Sequence, residues 1–214
     1  MSTKSDNAAK YFDQHTESFD GIYSGKKSLP LRWWDRMTRK NIIQRFDYTM
    51  AALAPLEGKS ILDAGCGTGR YCFRYAQLGA AYVHGVDISE KMIGFANLKK
   101  SENTLYDKCY FEKSNILDAK GHYDAISALG FFDYIEEPGE VLRHLRKMTR
   151  GKLICSFPAR MSFRYPFRKI WFMLHHTPVM FYSKHEIVKL LRESNFKIDE
   201  IKKTGPIYIV SASV

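Results

Sequence analysis

The chain is poor in cysteine and lacks long apolar runs, and these two scarcities exclude several classes of protein. Among its 214 residues there are four cysteines, at positions 66, 72, 109 and 155, and no C-x-x-C pair. This pattern favours reduced thiols in a core over a disulfide framework or a zinc site, and no metal-ligand cluster is visible. No apolar stretch is long enough to span a bilayer. The polar residues 1–10 lack the features of a secretory signal, so we expect a cytoplasmic protein.

The composition predicts a single folded domain with an uneven charge. Hydrophobic residues make up 45% of the chain and charged residues 26%, which suits one domain with a full-sized core. The formal net charge is +10, and residues 141–214 hold 15 Lys or Arg against 4 Asp or Glu. This basic part indicates contact with an acidic substrate, a membrane surface or a nucleic acid. A solvated basic face without any partner is the alternative.

Strand and helix patterns alternate along the chain, which predicts a parallel sheet covered by helices. The predicted strands are 60–63, 82–86, 109–112, 123–129, 152–157, 196–201 and 207–211. The predicted helices are one between Pro30 and Leu53, and then 70–78, 89–100, 138–148 and 183–195. The last helix starts at a capping box, Ser183 to Glu186. Since residues 204–206 are too short for a helical crossover, the last two strands must form a hairpin.

A glycine-rich turn carries the chemical information. Residues 61–69 read I-L-D-A-G-C-G-T-G, a buried strand and a turn that lead into a helix. A dinucleotide-binding turn would read G-x-G-x-x-G, but here Gly65, Gly67 and Gly69 alternate, and the G-K-[ST] of a phosphate-binding loop is absent. Asp63 at this turn would repel a pyrophosphate and attract a ligand ammonium group.

A second acid supports a nucleoside ligand. Asp87 ends the second predicted strand, twenty-four residues after Asp63. A carboxylate at that place can accept hydrogen bonds from both hydroxyls of a ribose. Either acid alone could be an ordinary residue at the end of a strand, but together they indicate a binding site.

With these motifs the sequence resembles the class I, Rossmann-like S-adenosylmethionine-dependent methyltransferases, clearly over residues 60–157 and more loosely to residue 214. The resemblance implies a three-layer Rossmann-like α/β sandwich with a seven-stranded, mostly parallel sheet and an antiparallel last strand. It also implies S-adenosylmethionine as the cofactor. The methionine part would lie at Asp63, Gly65, Gly67 and Gly69, and the ribose at Asp87. The other implied cofactor contacts are Ile88, Met92, Asn115, Ile116, Leu129 and Tyr11. Ile88 would pack on the adenine, and Asn115 stands where relatives often have an Asp for the adenine amino group. Met92 can also be read as a plain core residue.

The segment after the fourth strand should lie beside the transferred methyl group. Its sequence, L-G-F-F-D-Y at 129–134, lacks the N-P-P-Y or D-P-P-Y of amine-directed nucleic-acid enzymes and the Pro-Cys of cytosine enzymes. A carboxylate acceptor needs no base, whereas a hydroxyl or amine must lose a proton. Asp133 and Tyr182 are the predicted catalytic residues, and His175 and His176 are further candidates for a base.

An aromatic and basic segment without any acid covers residues 157–181. It could form a lid over an apolar or aromatic substrate with an anionic group, a patch on an anionic membrane, a stacking surface for RNA, or a satellite hydrophobic cluster. The predicted substrate contacts are Arg160, Arg164, Trp171 and Tyr23. Tyr23 belongs to an N-terminal aromatic motif similar to the flap of small-molecule methyltransferases.

We therefore expect one methyltransferase domain over residues 1–214. Its predicted parts are a helical flap (1–55), a cofactor-binding core (56–157), a substrate lid (158–182) and a C-terminal helix with a hairpin (183–214). The expected activity is methyl transfer to a small or lipid-like acceptor that is anionic or aromatic, by a monomer or a homodimer. An RNA methyltransferase and a catalytically silent cofactor-binding subunit are the alternatives.

Overall fold

A computed structural model of the chain describes residues 32–160 and 180–214, with side chains from Ile42 onward. Its helices are α1 (Arg32–Leu53), α2 (Arg70–Gln77), α3 (Glu90–Lys100), α4 (Pro138–Met148) and α5 (Lys184–Glu193), and a 3₁₀ turn covers Thr104–Lys108. Its strands are β1 (Ser60–Ala64), β2 (Tyr82–Asp87), β3 (Cys109–Lys113), β4 (Tyr123–Ala128), β5 (Thr149–Pro158), β6 (Lys197–Thr204) and β7 (Ile207–Ser213).

The seven strands form one sheet in the order β3-β2-β1-β4-β5-β7-β6. Strands β1 to β5 pair in parallel, and β7 runs antiparallel to both β5 and β6. The predicted hairpin of the last two strands is therefore confirmed. So is the expected fold class, a mostly parallel seven-stranded sheet whose last strand is antiparallel.

Two hydrophobic clusters cover the two faces of the sheet and give the fold its three layers. On one face, apolar residues of α1, α2 and α3 pack against residues such as Ile61 and Val83. On the other face, α4 and α5 pack against residues such as Leu62 and Leu153. All four of these strand residues have no exposed surface, as a sheet buried on both sides requires.

The element ends agree with the local sequence signals at most places. Ser89 caps α3, and Ser183 and Glu186 form both hydrogen bonds of the predicted capping box of α5. Strand β5 begins at Thr149, three residues before the predicted start. The reason is that α4 ends at Met148 and passes into β5 without a turn, while the Thr149 hydroxyl donates to the Leu145 carbonyl (2.6 Å).

The four cysteines lie inside the protein and none forms a disulfide. Within residues 32–160 and 180–214, no helix combines the length and the apolar composition that crossing a membrane requires.

Candidate cofactor site

The glycine turn after β1 lies at the carboxyl edge of the parallel strands. Gly65, Gly67 and Gly69 have φ of 72°, 54° and 79°, a region that side chains rarely adopt. A Cβ on Gly65 would lie 2.7 Å from the Phe131 ring, and one on Gly69 would lie 2.7 Å from the Phe111 ring. A Cβ on Gly67 would meet no atom within 4 Å. Aromatic rings thus pack on the outer glycines, and Gly67 faces the open side where a ligand can approach the backbone.

Asp87 ties three segments of this edge together. Its Oδ2 accepts a hydrogen bond from the Gly67 amide (2.8 Å) and its Oδ1 accepts one from the Ser89 amide (2.9 Å). Its own carbonyl accepts from the Ser114 amide (3.0 Å), where the chain leaves β3. Because each carboxylate oxygen has more than one lone pair, Asp87 can still accept bonds from ligand hydroxyls.

Asp63 lies behind the glycine turn rather than on its open side. Its carboxylate is 2% exposed, and it accepts hydrogen bonds from the Ser127 hydroxyl (2.6 Å) and the Cys72 thiol (3.5 Å). Burial raises the pKa of Asp63 to about 7, against the lowering effect of these two hydrogen bonds. The negative charge expected at this turn is therefore only partly developed at neutral pH.

The other predicted cofactor contacts follow the carboxyl ends of β2, β3 and β4. Ile88 is half-buried, while Met92 and Ile116 are each 5% exposed and Leu129 is 8% exposed. Asn115 is exposed, and its side-chain oxygen accepts from the Leu117 amide (3.0 Å), so it shapes its own turn. These cofactor contacts stay predictions.

Arg45 is a site residue that sequence reasoning missed. It lies on α1, half-buried, and its Nε donates to the Tyr71 hydroxyl (3.3 Å). One of its terminal nitrogens lies 3.3 Å from where a Cβ on Gly130 would be, and its charge acts on Asp63. A cation therefore lies over the carboxyl ends of β1 and β4. The available signal was a basic residue directly before Phe46 in the predicted first helix.

Of the two predicted catalytic residues, Asp133 lies in the loop after β4, and Tyr182 lies just before α5 and contacts that loop. Asp133 is 8% exposed. Tyr182 is buried, and its hydroxyl contacts the carbonyls of Phe132 (3.2 Å) and Ile135 (3.4 Å). Burial, with the nearby charges of Asp133 and Glu186, raises the pKa of Tyr182 well above its ordinary value. Tyr182 is thus placed to hold the loop that carries Asp133, and it is poorly suited to act as a base.

Of the remaining predicted residues, the structure describes Arg160, whose backbone amide donates to the Tyr182 carbonyl (2.9 Å). Arg160 forms an ion pair with Glu186 (2.7 Å). The other predicted contacts and bases fall outside the described residues: Tyr11, Tyr23, Arg164, Trp171, His175 and His176. Among the side chains that the structure describes, no group of three or more His, Cys, Asp or Glu could hold a metal ion.

A seven-stranded sheet with an antiparallel last strand, a glycine turn after β1 and an acid at the end of β2 together define the class I methyltransferase fold. A family model described as a methyltransferase domain matches residues 34–201. The chain belongs to this family, whose cofactor is S-adenosylmethionine.

Similar proteins include named O-methyltransferases. The chain is 28% identical over 127 residues to a ubiquinone biosynthesis O-methyltransferase of Neisseria meningitidis. This alignment covers 56% of this chain and 53% of that protein. It is 36% identical over 105 residues to the magnesium-protoporphyrin O-methyltransferase of Synechocystis, covering 48% and 45%. The chain thus spans about half the length of the curated relatives it matches.

A solved structure matches over nearly the whole chain. It is the magnesium protoporphyrin IX methyltransferase of Synechocystis with bound S-adenosylhomocysteine (SAH). The TM-score is 0.82 at 27% identity, and the alignment covers 96% of this chain and 97% of that one.

Proposed function

We propose that this chain binds S-adenosylmethionine beside Asp87 and transfers its methyl group to an oxygen atom of a small molecule. The observation that carries the proposal is the open backbone at Gly67, held by the Asp87 carboxylate that would also receive the ribose hydroxyls. The similar proteins named as O-methyltransferases support oxygen as the accepting atom.

Each charged residue at the site has a part in this proposal. Asp87 receives the ribose hydroxyls, and Arg45 stands over the strand ends, where it can pair with the carboxylate of the methionine part. Asp63, behind the turn, favours the ammonium group through its charge rather than by a direct bond. When bound, the cofactor supplies an electrophilic methyl group on a sulfonium sulfur.

Alignment is the main contribution that this chain can make to methyl transfer. Phe131 packs on Gly65, so the loop after β4 is fixed against the glycine turn. Tyr182 holds the same loop through two carbonyl groups. For a carboxylate acceptor this positioning suffices, whereas for a phenol we propose Asp133 as the base. We keep Arg160, Arg164, Trp171 and Tyr23 as proposed contacts for an anionic or aromatic acceptor.

Calorimetric titration with SAH tests the cofactor site. We expect Gly67→Ala to weaken binding, because the added Cβ would enter the open space through which the ligand approaches the backbone. Gly58→Ala is a matched control, since Gly58 also has a positive φ (72°) and open space but lies before β1. We expect Asp87→Ala to raise Kd about tenfold or more, as loss of bonds to a charged group predicts. Equal loss in both glycine variants, or no binding of SAH by the unaltered protein, would contradict the site.

The acceptor is tested by incubating the protein with S-adenosylmethionine and either porphyrin carboxylates or phenols. Release of SAH with a methylated product identifies the class. A phenol-dependent rate that Asp133→Asn abolishes would support the proposed base, and a rate insensitive to this change would contradict it. Binding without turnover on either class would favour a silent subunit, and methylation of RNA in place of both would favour the nucleic-acid alternative.

A further inference from the structure

A buried histidine lies between an acid and a tyrosine at the β2–β3 side of the sheet. His84 on β2 is 5% exposed. Its Nε2 lies 3.0 Å from Oε2 of Glu112 on β3, and its Nδ1 lies 2.6 Å from the hydroxyl of Tyr123 on β4. That hydroxyl also donates to the Lys120 carbonyl (3.1 Å). Three strands and the chain segment before β4 thus meet at one imidazole.

The protons available to this network depend on the charge of His84. When both ring nitrogens carry a proton, Nε2 donates to Glu112 and Nδ1 donates to Tyr123, whose own proton then goes to Lys120. When His84 is neutral with its proton on Nε2, the Tyr123 hydroxyl is the sole donor for both Nδ1 and the Lys120 carbonyl. The shorter contact to Nδ1 then takes that proton, and Lys120 loses its partner.

The Lys120 carbonyl belongs to the β3–β4 connection (residues 114–122), which carries Asn115, the predicted adenine contact, and Ile116, a further predicted cofactor contact. A second histidine also holds it, since Nε2 of His144 on α4 lies 3.0 Å from the Ala119 carbonyl. Ile116 and Ala119 are buried, at 5% and 2% exposed. The connection is therefore a short segment fixed at a few points, and its Lys120 contact lies four residues after Ile116 in the chain.

We propose that His84, Glu112 and Tyr123 form a proton-responsive brace on the β3–β4 connection, so that the charge of His84 sets how firmly the adenine side of the site is held. The brace rests on the proposed cofactor binding. It makes His84 a positioning residue, which acts on the cofactor through Tyr123 and the connection.

The surroundings of His84 set the pH range. Burial lowers the pKa of His84 below its ordinary value of 6.5, and the Glu112 charge opposes this shift. The other titratable groups that face the imidazole are Tyr82 on β2, Tyr110 on β3 and Tyr123 on β4. Burial raises the pKa of Tyr82, and it raises that of Tyr123 to about 12, so neither hydroxyl loses its proton in the range where the imidazole titrates.

The test compares the SAH affinity of the unaltered protein and of Tyr123→Phe below and above the pKa of His84, which an NMR titration of its ring supplies. Tyr123→Phe keeps the ring and removes the hydroxyl. We expect it to bind SAH two- to tenfold more weakly below that pKa, which is about the contribution of one hydrogen bond, and equally well above it. The titration of Asp63 is common to both proteins, so it cancels in the ratio of their affinities. Tyr110→Phe is the matched control, since its ring lies 5.2 Å from the same imidazole, and its ratio should stay constant with pH.

A ratio for Tyr123→Phe that does not change with pH would overturn the brace. An NMR titration of the His84 ring without ligand separates this outcome from failure of the proposed function. There, Tyr123→Phe should lower the pKa of His84 further, because the imidazolium loses an acceptor, and an unchanged pKa would also overturn the brace. If no protein binds SAH at any pH, the cofactor proposal fails while the NMR titration still decides the hydrogen-bond network. The glutamine of His84→Gln cannot gain a charge, so in this variant the hold of the brace on the β3–β4 connection should not change with pH.

Discussion

Asp63 is the residue whose charge is most altered by the fold. Its pKa rises from 3.8 to about 7 because the carboxylate is buried behind the glycine turn. The folded protein therefore binds one proton more than the unfolded chain between about pH 4 and pH 7, and stability from this group falls as pH rises through that window. The full shift corresponds to ~4 kcal/mol as an upper bound.

We expect Asp63→Asn to remove this loss. Between pH 4 and pH 8 the free energy of unfolding of the variant should fall less than that of the unaltered protein, by up to a few kcal/mol. Urea unfolding at a series of pH values measures the difference.

Asp124→Asn is an informative control for this prediction. The amide and hydroxyl of Ser60 hold the pKa of Asp124 below its ordinary value, so its contribution to stability is lost as pH falls, the opposite sign. The same pH slope for Asp63→Asn and the unaltered protein would show that Asp63 does not titrate in this range.

At the residue scale, sequence reasoning found the groups whose chemistry depends on local spacing. The glycine turn and Asp87 follow directly from the order of strand, turn and helix. Arg45 could not be found in this way, because its position over Gly130 depends on how α1 packs on the sheet. Tyr182 was predicted as a catalytic group, but only the fold shows that its hydroxyl is bonded to two carbonyls.

At the scale of elements, two glycines with ordinary φ differ in the space around them. A Cβ on Gly85 in β2 would lie 2.7 Å from the Phe111 ring and 2.9 Å from Cys66 Sγ. A Cβ on Gly94 in α3 would meet no atom within 4 Å. Gly85 therefore serves close packing, whereas Gly94 only weakens a helix.

We expect Gly94→Ala to stabilise the protein by about 0.5 to 1 kcal/mol, since alanine is the better helix former. Gly85→Ala should instead destabilise it by about 1 to 3 kcal/mol through overpacking. Chemical denaturation of both variants measures the two values. Pairing Gly85→Ala with Phe111→Leu should recover part of the loss, and no recovery would show that the ring is not the obstacle.

Elements with a capping signal were predictable, and elements without one were less so. The capping box at Ser183 and the short 204–206 turn predicted α5 and the hairpin, because both are local. The start of β5 was missed because helix and strand meet at Thr149 with no glycine, proline or cap between them. There the sheet pairing of Tyr123 with Thr149, a contact far along the chain, decides where the strand begins.

At the scale of the whole molecule, β7 joins the two hydrophobic clusters. It lies between β5 and β6, with Ile209 in one cluster and Val210 and Ala212 in the other, all without exposed surface. We expect a chain that stops after Gly205 to lose cooperative unfolding, as measured by circular dichroism during heating. A chain that stops after Ser213 is the control, because Val214 is 48% exposed. Cooperative unfolding of the shorter chain would contradict this role.

Part of the basic charge of the last third has partners within the protein. Arg160 pairs with Glu186 (2.7 Å), and Lys189 lies near Glu193 (3.8 Å). Arg146 donates to the Asn195 carbonyl (2.8 Å), and Lys152 donates to the Ala52 carbonyl (3.0 Å). Apart from the Lys189 pair, which lies within α5, these contacts link different elements. The net charge alone therefore overstates the positive charge that is directed toward an anionic partner. Composition could predict the sign of the net charge in this region but not the partner that each basic side chain contacts.

The buried thiols also make it possible to measure how often separate parts of the molecule open. Cys66 lies within the glycine turn and is 7% exposed, while Cys155 lies at the centre of the sheet without exposed surface. Burial raises the pKa of the Cys155 thiol far above its ordinary value, so an alkylating reagent meets almost no thiolate in the folded state. Each cysteine is therefore modified only when its surroundings open. The rate at Cys66 measures the opening of the turn, and the rate at Cys155 measures the opening of the whole sheet.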